Sequence, residues 1–104
     1  MGSLRNVQAS SSGDILLDNI CYFPPYGDAD VRFCAELPIQ SSEFYQAGIH
    51  DIKPTVLLLI DTESDDVTVK KLKYNDTVYS IYRRYDRPSG RTEIYTEIRA
   101  GVDE

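Results

Sequence analysis

The sequence predicts an all-β fold: a small β-barrel of about six strands with one short helix and a flexible N-terminal arm. Three observations lead there. Apolar and polar residues alternate at period two through several short stretches, most cleanly from Val31 to Ile39. Clusters of Pro, Gly, Asn and Asp separate these stretches at regular intervals. The chain has 104 residues, 41 % of them hydrophobic, which suits one domain with a modest core. A barrel is favoured over an open sheet because closure removes exposed strand edges.

Residues 1–13 are Ser- and Gly-rich and read as the arm; residues 14–104 read as the single barrel domain. Ile15 to Ile20 forms a first short strand, and Pro24-Pro25-Tyr26-Gly27-Asp28 a turn. In the next strand Val31, Phe33, Ala35, Leu37 and Ile39 share the core face, with Arg32, Cys34 and Glu36 opposite. Ser41 to Ala47 breaks the alternation. Ser41 or Ser42 caps a two-turn helix there, Glu43 suits its first turn and Gly48 ends it. Phe44 and Ala47 share a helical face. Phe44 and Tyr45 are the expected anchors of the helix, and truncating either would cost roughly 2–4 kcal/mol. Pro54 opens a strand, Thr55 to Ile60, that is apolar on both faces and so central. Asp61 to Asp66 is an acidic, solvated loop. Lys70 to Tyr74 and Thr77 to Tyr85 form a hairpin closed at Asn75-Asp76, residue types that tolerate the positive φ of a primed turn. Along its second arm Tyr79, Ile81 and Tyr85 face one way, Ser80, Arg84 and Asp86 the other. After a turn at Pro88-Ser89-Gly90, Thr92 to Arg99 alternates again, with Ile94 and Ile98 inward.

Composition excludes several classes. Net charge is −6, which argues against a general nucleic-acid binder. The longest apolar run, Val56 to Ile60, is far short of the roughly 20 residues a membrane helix needs, so no membrane partner is expected. No basic region followed by an apolar stretch opens the chain, so no secretory leader is expected. The start Met1-Gly2-Ser3-Leu4-Arg5-Asn6 lacks the sixth-position Ser or Thr of a myristoylation signal. Cys21 and Cys34 are too few for a disulfide scaffold and read as reduced, partly buried thiols flanking a turn.

Catalytic residues are scarce. The one histidine, His50, stands beside Asp51 without a Ser or Cys in a nucleophile motif, and reads as an exposed loop residue. The acidic run lacks the spacing of a calcium loop, and no cluster has metal-ligand spacing. Asn75-Asp76-Thr77 matches a glycosylation sequon, but a tight turn explains it better. No cofactor, metal or catalytic residue is therefore expected. Charge is divided along the chain. Residues 1–52 carry two basic and seven acidic side chains; residues 53–104 carry nine and ten. Arg83, Arg84, Arg87 and Arg91 lie close together and are candidate contacts for an acidic partner or DNA phosphates. Arg83 and Arg84 fall on opposite strand faces. Opposed charged surfaces on one small domain suit head-to-tail ring assembly. Tyrosine is abundant, eight residues against three Phe and no Trp, and suits the rim of a small core or an interface.

One run of residues is more specific. Ser42-Glu43-Phe44-Tyr45-Gln46-Ala47, followed by Ile52-Lys53-Pro54 and an apolar strand, resembles the tailed-phage head–tail joining family, also called head-closure, stopper or head–tail adaptor proteins. The family shows a Tyr-Asn-Gly hairpin, matched by Tyr74-Asn75-Asp76. Its Tyr-x-Ile-x-Arg-x-Tyr strand is matched by Tyr79 to Tyr85, and its acidic-aromatic last strand by Glu93 to Glu97. Asp76 replaces the usual Gly and Ile52 the usual Leu. The likeness spans residues 31–99. It implies a small β-barrel with one short helix and a structural role without covalent chemistry. It implies a homo-oligomeric ring in the virion, six or twelve copies in such connectors, assembled in the bacterial host cytoplasm. The implied partners are the portal–adaptor complex, a tail terminator or tail tube protein, and packaged DNA passing through the channel. A loop of each subunit narrows that channel, with Tyr22 to Asp30 and Asp61 to Asp66 as candidates. Two other readings compete. One is a monomeric β-barrel peptide- or protein-interaction module with an aromatic groove at Tyr79, Tyr82 and Tyr95. The other, a small hydrolase using His50, has less behind it.

Overall fold

The computed structural model describes residues 15–98, so the expected arm at 1–13 and Arg99 of the expected last strand lie outside it. The elements are β1 (Asn19–Tyr22), β2 (Val31–Leu37), α1 (Ser41–Gly48), β3 (Val56–Asp61), β4 (Lys71–Tyr74), β5 (Thr77–Asp86) and β6 (Arg91–Glu97). The six strands form a closed antiparallel barrel in the order β1-β2-β3-β6-β5-β4. The pair Tyr22↔Lys73 closes it between β1 and β4. The all-β barrel with one short helix is thus the observed architecture.

Alternation decides which side chains fill the barrel. Val56, Leu58 and Ile60 of β3 point inward and meet Leu72, Tyr74 and Ile94. Leu57 and Leu59 point outward yet are buried as well. The uninterrupted apolar run is therefore used on both faces, as expected of a central strand. Ile15 comes against this outer wall, sharing a recess of about 230 Å³ with Leu37, Leu57 and Tyr95. Arg91 Nη1 holds it there by donating to the Ile15 carbonyl at 2.8 Å. The first strand consequently begins at Asn19, not at Ile15.

The face of β2 is the reverse of the sequence expectation. Cys21↔Arg32 and Asn19↔Cys34 are cross-strand partners. Cys21 and Cys34 both lie in the interior core. Their side of β2, with Arg32 and Glu36, therefore points inward. Phe33, expected in the core, is 66 % exposed on the outer wall. The inward polar groups are satisfied. The Arg32 guanidinium lies 4.8 Å from the Phe23 ring centroid and donates to the Ser64 carbonyl at 2.8 Å. The Tyr74 hydroxyl donates to Glu36 Oε1 at 3.0 Å. A narrow barrel accepts a small thiol at position 34 where a phenyl ring would overfill it. Cys21 and Cys34 are free thiols. The hydrogen bond to Cys21 and burial together push the Cys34 thiol up.

The hairpin of β4 and β5 turns at Asn75 (φ 52°) and Asp76 (φ 65°), both in the left-handed region that a primed two-residue turn requires. Further along β5 the register slips. Ile81 pairs with Thr96, but Arg83 pairs with the next residue back, Tyr95. Tyr82 is the extra residue of a β-bulge. Side chains beyond it change sides, so Arg84 and Asp86 join Ile81 on the inner side and Tyr85 faces out. The expectation that Tyr85 shares a face with Tyr79 and Ile81 fails for this reason.

Arg84, turned inward, closes one mouth of the barrel. Its Nε donates to Asp65 Oδ2 at 2.9 Å, and the Asp65 side chain is almost fully buried. Its Nη2 donates to the Asp66 carbonyl at 3.0 Å. Beside it Thr92 donates to Asp86 Oδ1 at 2.9 Å and shares a 2.7 Å hydrogen bond with Thr62. The segment expected to be a solvated acidic loop is instead partly a lid: Asp61 ends β3 and Thr62–Ser64 forms a 3-10 turn.

This layering sets a testable contrast. Leu58→Ala should lower stability by about 2–5 kcal/mol, because it empties the barrel interior. Phe33→Ala should change it by about 0.5 kcal/mol or less, because the ring is solvated. Urea denaturation measures both, and equal losses would return Phe33 to the core.

Candidate functional site

The outer wall of β5 and β6 carries α1 and the densest polar network on the surface. The bulge makes this possible, since it places Tyr82 and Arg83 on the same outer side. Glu43, in the first turn of α1, receives both. The Tyr82 hydroxyl donates to Glu43 Oε2 at 2.7 Å and Arg83 Nη2 donates to Oε1 at 2.6 Å. The Arg83 guanidinium stacks 3.9 Å from the centroid of the Tyr95 ring. The Tyr95 hydroxyl donates to one Glu93 oxygen. Arg87 Nε donates to the other at 2.8 Å. A single ladder of alternating charge and aromatic ring thus runs from the helix to the end of the β5–β6 hairpin.

Burial shapes the titration of its members. Desolvation, then the hydrogen bond to Glu93, pushes the Tyr95 phenol up to about 12. The same causes, with Glu43 as acceptor, push Tyr82 up further. Inside the barrel, burial and the bond to Glu36 push Tyr74 up to about 12. Burial works against the Glu93 carboxylate, but the bonds from Tyr95 and Arg87 outweigh it and hold Glu93 below its ordinary value.

The helix is seated by its polar side. Glu43 and Ala47 face the barrel, and Ala47 is the buried residue of α1. Gln46 and His50 line a recess of about 390 Å³ with Glu43, Ile52, Tyr82 and Arg83. The opposite face of the helix is apolar and open. Phe44 is 49 % exposed, Tyr45 71 % and Ile49 62 %. Phe44 and Tyr45 are therefore not the anchors that the sequence suggests. Glu43 and Ala47 hold that role, because an arginine and a tyrosine on the bulge reach the carboxylate. The helix starts at Ser41 from Gln40, without a side-chain cap from either serine.

The four arginines do not form one patch. Arg83 pairs with Glu43, Arg84 with Asp65, Arg87 with Glu93 and Arg91 with Asp61. Arg84 is inside the mouth of the barrel, and Arg83 is the most exposed of the set. Tyr79, Tyr82 and Tyr95 do not line one groove either. Tyr79 packs against the interior core, while Tyr82 and Tyr95 meet on the outer wall with centroids 6.2 Å apart. His50 is exposed at the end of the helix. Among the described residues no group of three or more His, Cys, Asp or Glu side chains is placed to hold a metal ion. No helix among them is long and apolar enough to cross a membrane. The carboxylate of Glu43 is the functional group that sequence reading passed over. Its position three residues into a capped segment gave a helix-dipole role, but its partners are 39 and 40 residues away.

Two expected outcomes follow from this geometry. Phe44→Ala and Tyr45→Ala should each change stability by about 0.5 kcal/mol or less. Glu43→Ala should cost about 1–3 kcal/mol, since it strands the Tyr82 hydroxyl and the Arg83 guanidinium. Urea midpoints that rank Phe44 above Glu43 would restore the apolar anchor. The tyrosines give the second. Folding raises the pKa of Tyr74, Tyr82 and Tyr95. Their contribution is complete below the unfolded phenol value of about 10 and is lost as pH rises through the folded values. Tyrosinate absorbance should therefore show Tyr74 and Tyr95 ionising near pH 12 together with loss of the far-UV circular dichroism signal. All eight tyrosines titrating in one step near pH 10 would contradict it.

No protein-family model, no curated protein and no solved structure matches this chain, which leaves the surfaces of the barrel to carry the functional reading.

Proposed function

We propose that this chain is a connector subunit of a tailed phage or prophage particle. Copies form a ring between the portal–adaptor complex and the tail, close the head, retain the packaged DNA and dock the tail. The role is structural and involves no covalent chemistry. The observation that carries the reading is the use made of the segment Ser42 to Ala47, the most specific part of the resemblance. It forms α1, fastened to the barrel by Glu43, and it turns Phe44 and Tyr45 outward. A short helix with its apolar residues facing away from its own barrel is a surface for another protein. The six-strand barrel with one short helix agrees with the plan that the resemblance implies. Of the basic cluster, Arg83 is best placed to touch a neighbour, while Arg84 is committed to the barrel mouth. The groove that the peptide-binding alternative calls for at Tyr79, Tyr82 and Tyr95 is not formed among the described residues, since Tyr79 packs against the core.

Deletion of the gene in its source phage or prophage tests the proposal. Induced particles are examined by electron microscopy and assayed for retained DNA. The expected result is free tails beside tailless heads that have leaked their DNA. Normal, infectious tailed particles would end the connector reading.

A further inference from the structure

Two apolar surfaces lie on opposite walls of the barrel. One is the outward face of α1, with Phe44, Tyr45 and Ile49 exposed. A Cβ added at Gly48, on the same face, would meet nothing within 4 Å. The other is the β1–β2 wall, where Ile20 and Phe33 are direct cross-strand partners and both exposed. In the closed order β1-β2-β3-β6-β5-β4, the β1–β2 pair stands across the barrel from the β6–β5 pair that carries α1.

A single side chain of opposite sign stands beside each: Asp51 past the end of α1, and Lys73 on the strand that adjoins β1. Residues 40–51 contain no Lys or Arg, and of their two acids Glu43 turns to the barrel and pairs with Arg83, which leaves Asp51 as the acid at the open end. Residues 70–76, whose strand adjoins β1, contain Lys70, Lys71 and Lys73 against Asp76, and Asp28 and Asp30 lie in the segment that joins β1 to β2. The Ile20 side chain also borders a recess of about 260 Å³ shared with Tyr22, Lys73, Asn75 and Asp76. The Lys73 ammonium there lies 5.9 Å from the Tyr22 ring and 5.7 Å from the Tyr26 ring. A further aromatic side chain entering this recess would meet a cation already held among rings.

We infer that α1 of one copy docks on the β1–β2 wall of the next. Phe44, Tyr45 and Ile49 cover Ile20 and Phe33, and Asp51 approaches Lys73. The inference rests on the ring reading above and supplies the two surfaces that reading leaves open. The contact is heterologous, because the two patches differ and each copy offers both at once. Such a contact repeats from copy to copy and closes into a ring where the rotation allows. A two-fold contact of α1 on α1 would leave Ile20 and Phe33 uncovered.

Sedimentation velocity on the intact chain tests this, with the double variant F44E/Y45E and the variant F33E. All three substitutions sit at exposed positions, so the far-UV spectra should match the unsubstituted chain. The unsubstituted chain should form species larger than a dimer by about 1 mM, the weak end of specific association. Each variant alone should be monomeric. Their equimolar mixture should stop at a dimer, since one intact pair of surfaces remains. A second pair of variants covers a folding defect: Asp51→Lys and Lys73→Asp should each weaken assembly and together restore it. Assembly of both variants like the parent, a mixture that stays monomeric, or a parent that is monomeric throughout would overturn the inference. Leaking, tailless heads in the deletion assay combined with any of these results would leave the connector reading standing and remove only the docking surfaces. Normal particles beside a head-to-tail assembly in solution would do the reverse.

Discussion

At Tyr82, β5 advances two residues while β6 advances one, and every side chain beyond that point changes sides. Arg84 is thereby aimed into the barrel mouth, where it holds Asp65 and the segment that covers the opening. Tyr82 and Arg83 are left together on the outer wall, where one carboxylate receives both. Without the bulge, Tyr82 alone would remain outside and Arg83 would enter the core. The helix would then lose its charged tether and the mouth its lid. A β-bulge strengthens local twist and bends its strand. Here it also decides which of two adjacent arginines turns inward and which outward.

The barrel that results is thin-walled, and its two layers use apolar residues differently. The interior is filled by β3, β4 and β6 residues with the thiols of Cys21 and Cys34. Its ends are polar but satisfied, by Thr62, Asp86 and Thr92 at one mouth and by Glu36 and Tyr74 further in. Buried polar groups are tolerable only when paired in this way. The outer layer is incomplete. Leu57 and Leu59 are covered, whereas Ile20 and Phe33 on the next wall are not. The same sheet therefore presents one finished and one unfinished outer face.

Period-two alternation made the strands legible, and side-chain chemistry made the hairpin legible. Asn75 and Asp76 both accept positive φ, and the turn formed where they stand. The unbroken run Val56 to Ile60 likewise announced a strand buried on both sides. Alternation cannot say which of two faces points inward when both walls of a barrel carry apolar residues. That is why Phe33 lies outside and Cys34 inside, the reverse of what the alternation suggests. Nor does alternation register a bulge, since a single extra residue leaves local composition unchanged while inverting all that follows. The helix was legible as an element, but its orientation was not. Phe44 and Tyr45 outrank Glu43 in any hydrophobic count. The long-range pairing of Glu43 with Tyr82 and Arg83 depends on a strand shift that sequence spacing does not reveal.

The arginines carry a last consequence. Each of the four is neutralised by a carboxylate of its own chain, so the basic cluster of the second half of the sequence does not become a basic surface. The net charge of −6 then sets the long-range field. In the proposed ring that field would oppose DNA phosphates instead of gripping them, and the opposition weakens beyond about 8 Å at physiological salt. Under the proposed ring reading, specificity between subunits would come from short-range fit. The side chains best able to provide it are those that gain nothing in the isolated barrel. Phe33, Phe44 and Tyr45 stabilise little while solvated, yet each offers apolar area worth about 25 cal/mol per Å² once covered. The isolated barrel leaves that area unused, because its charges are already paired within the chain while these three rings stand in solvent.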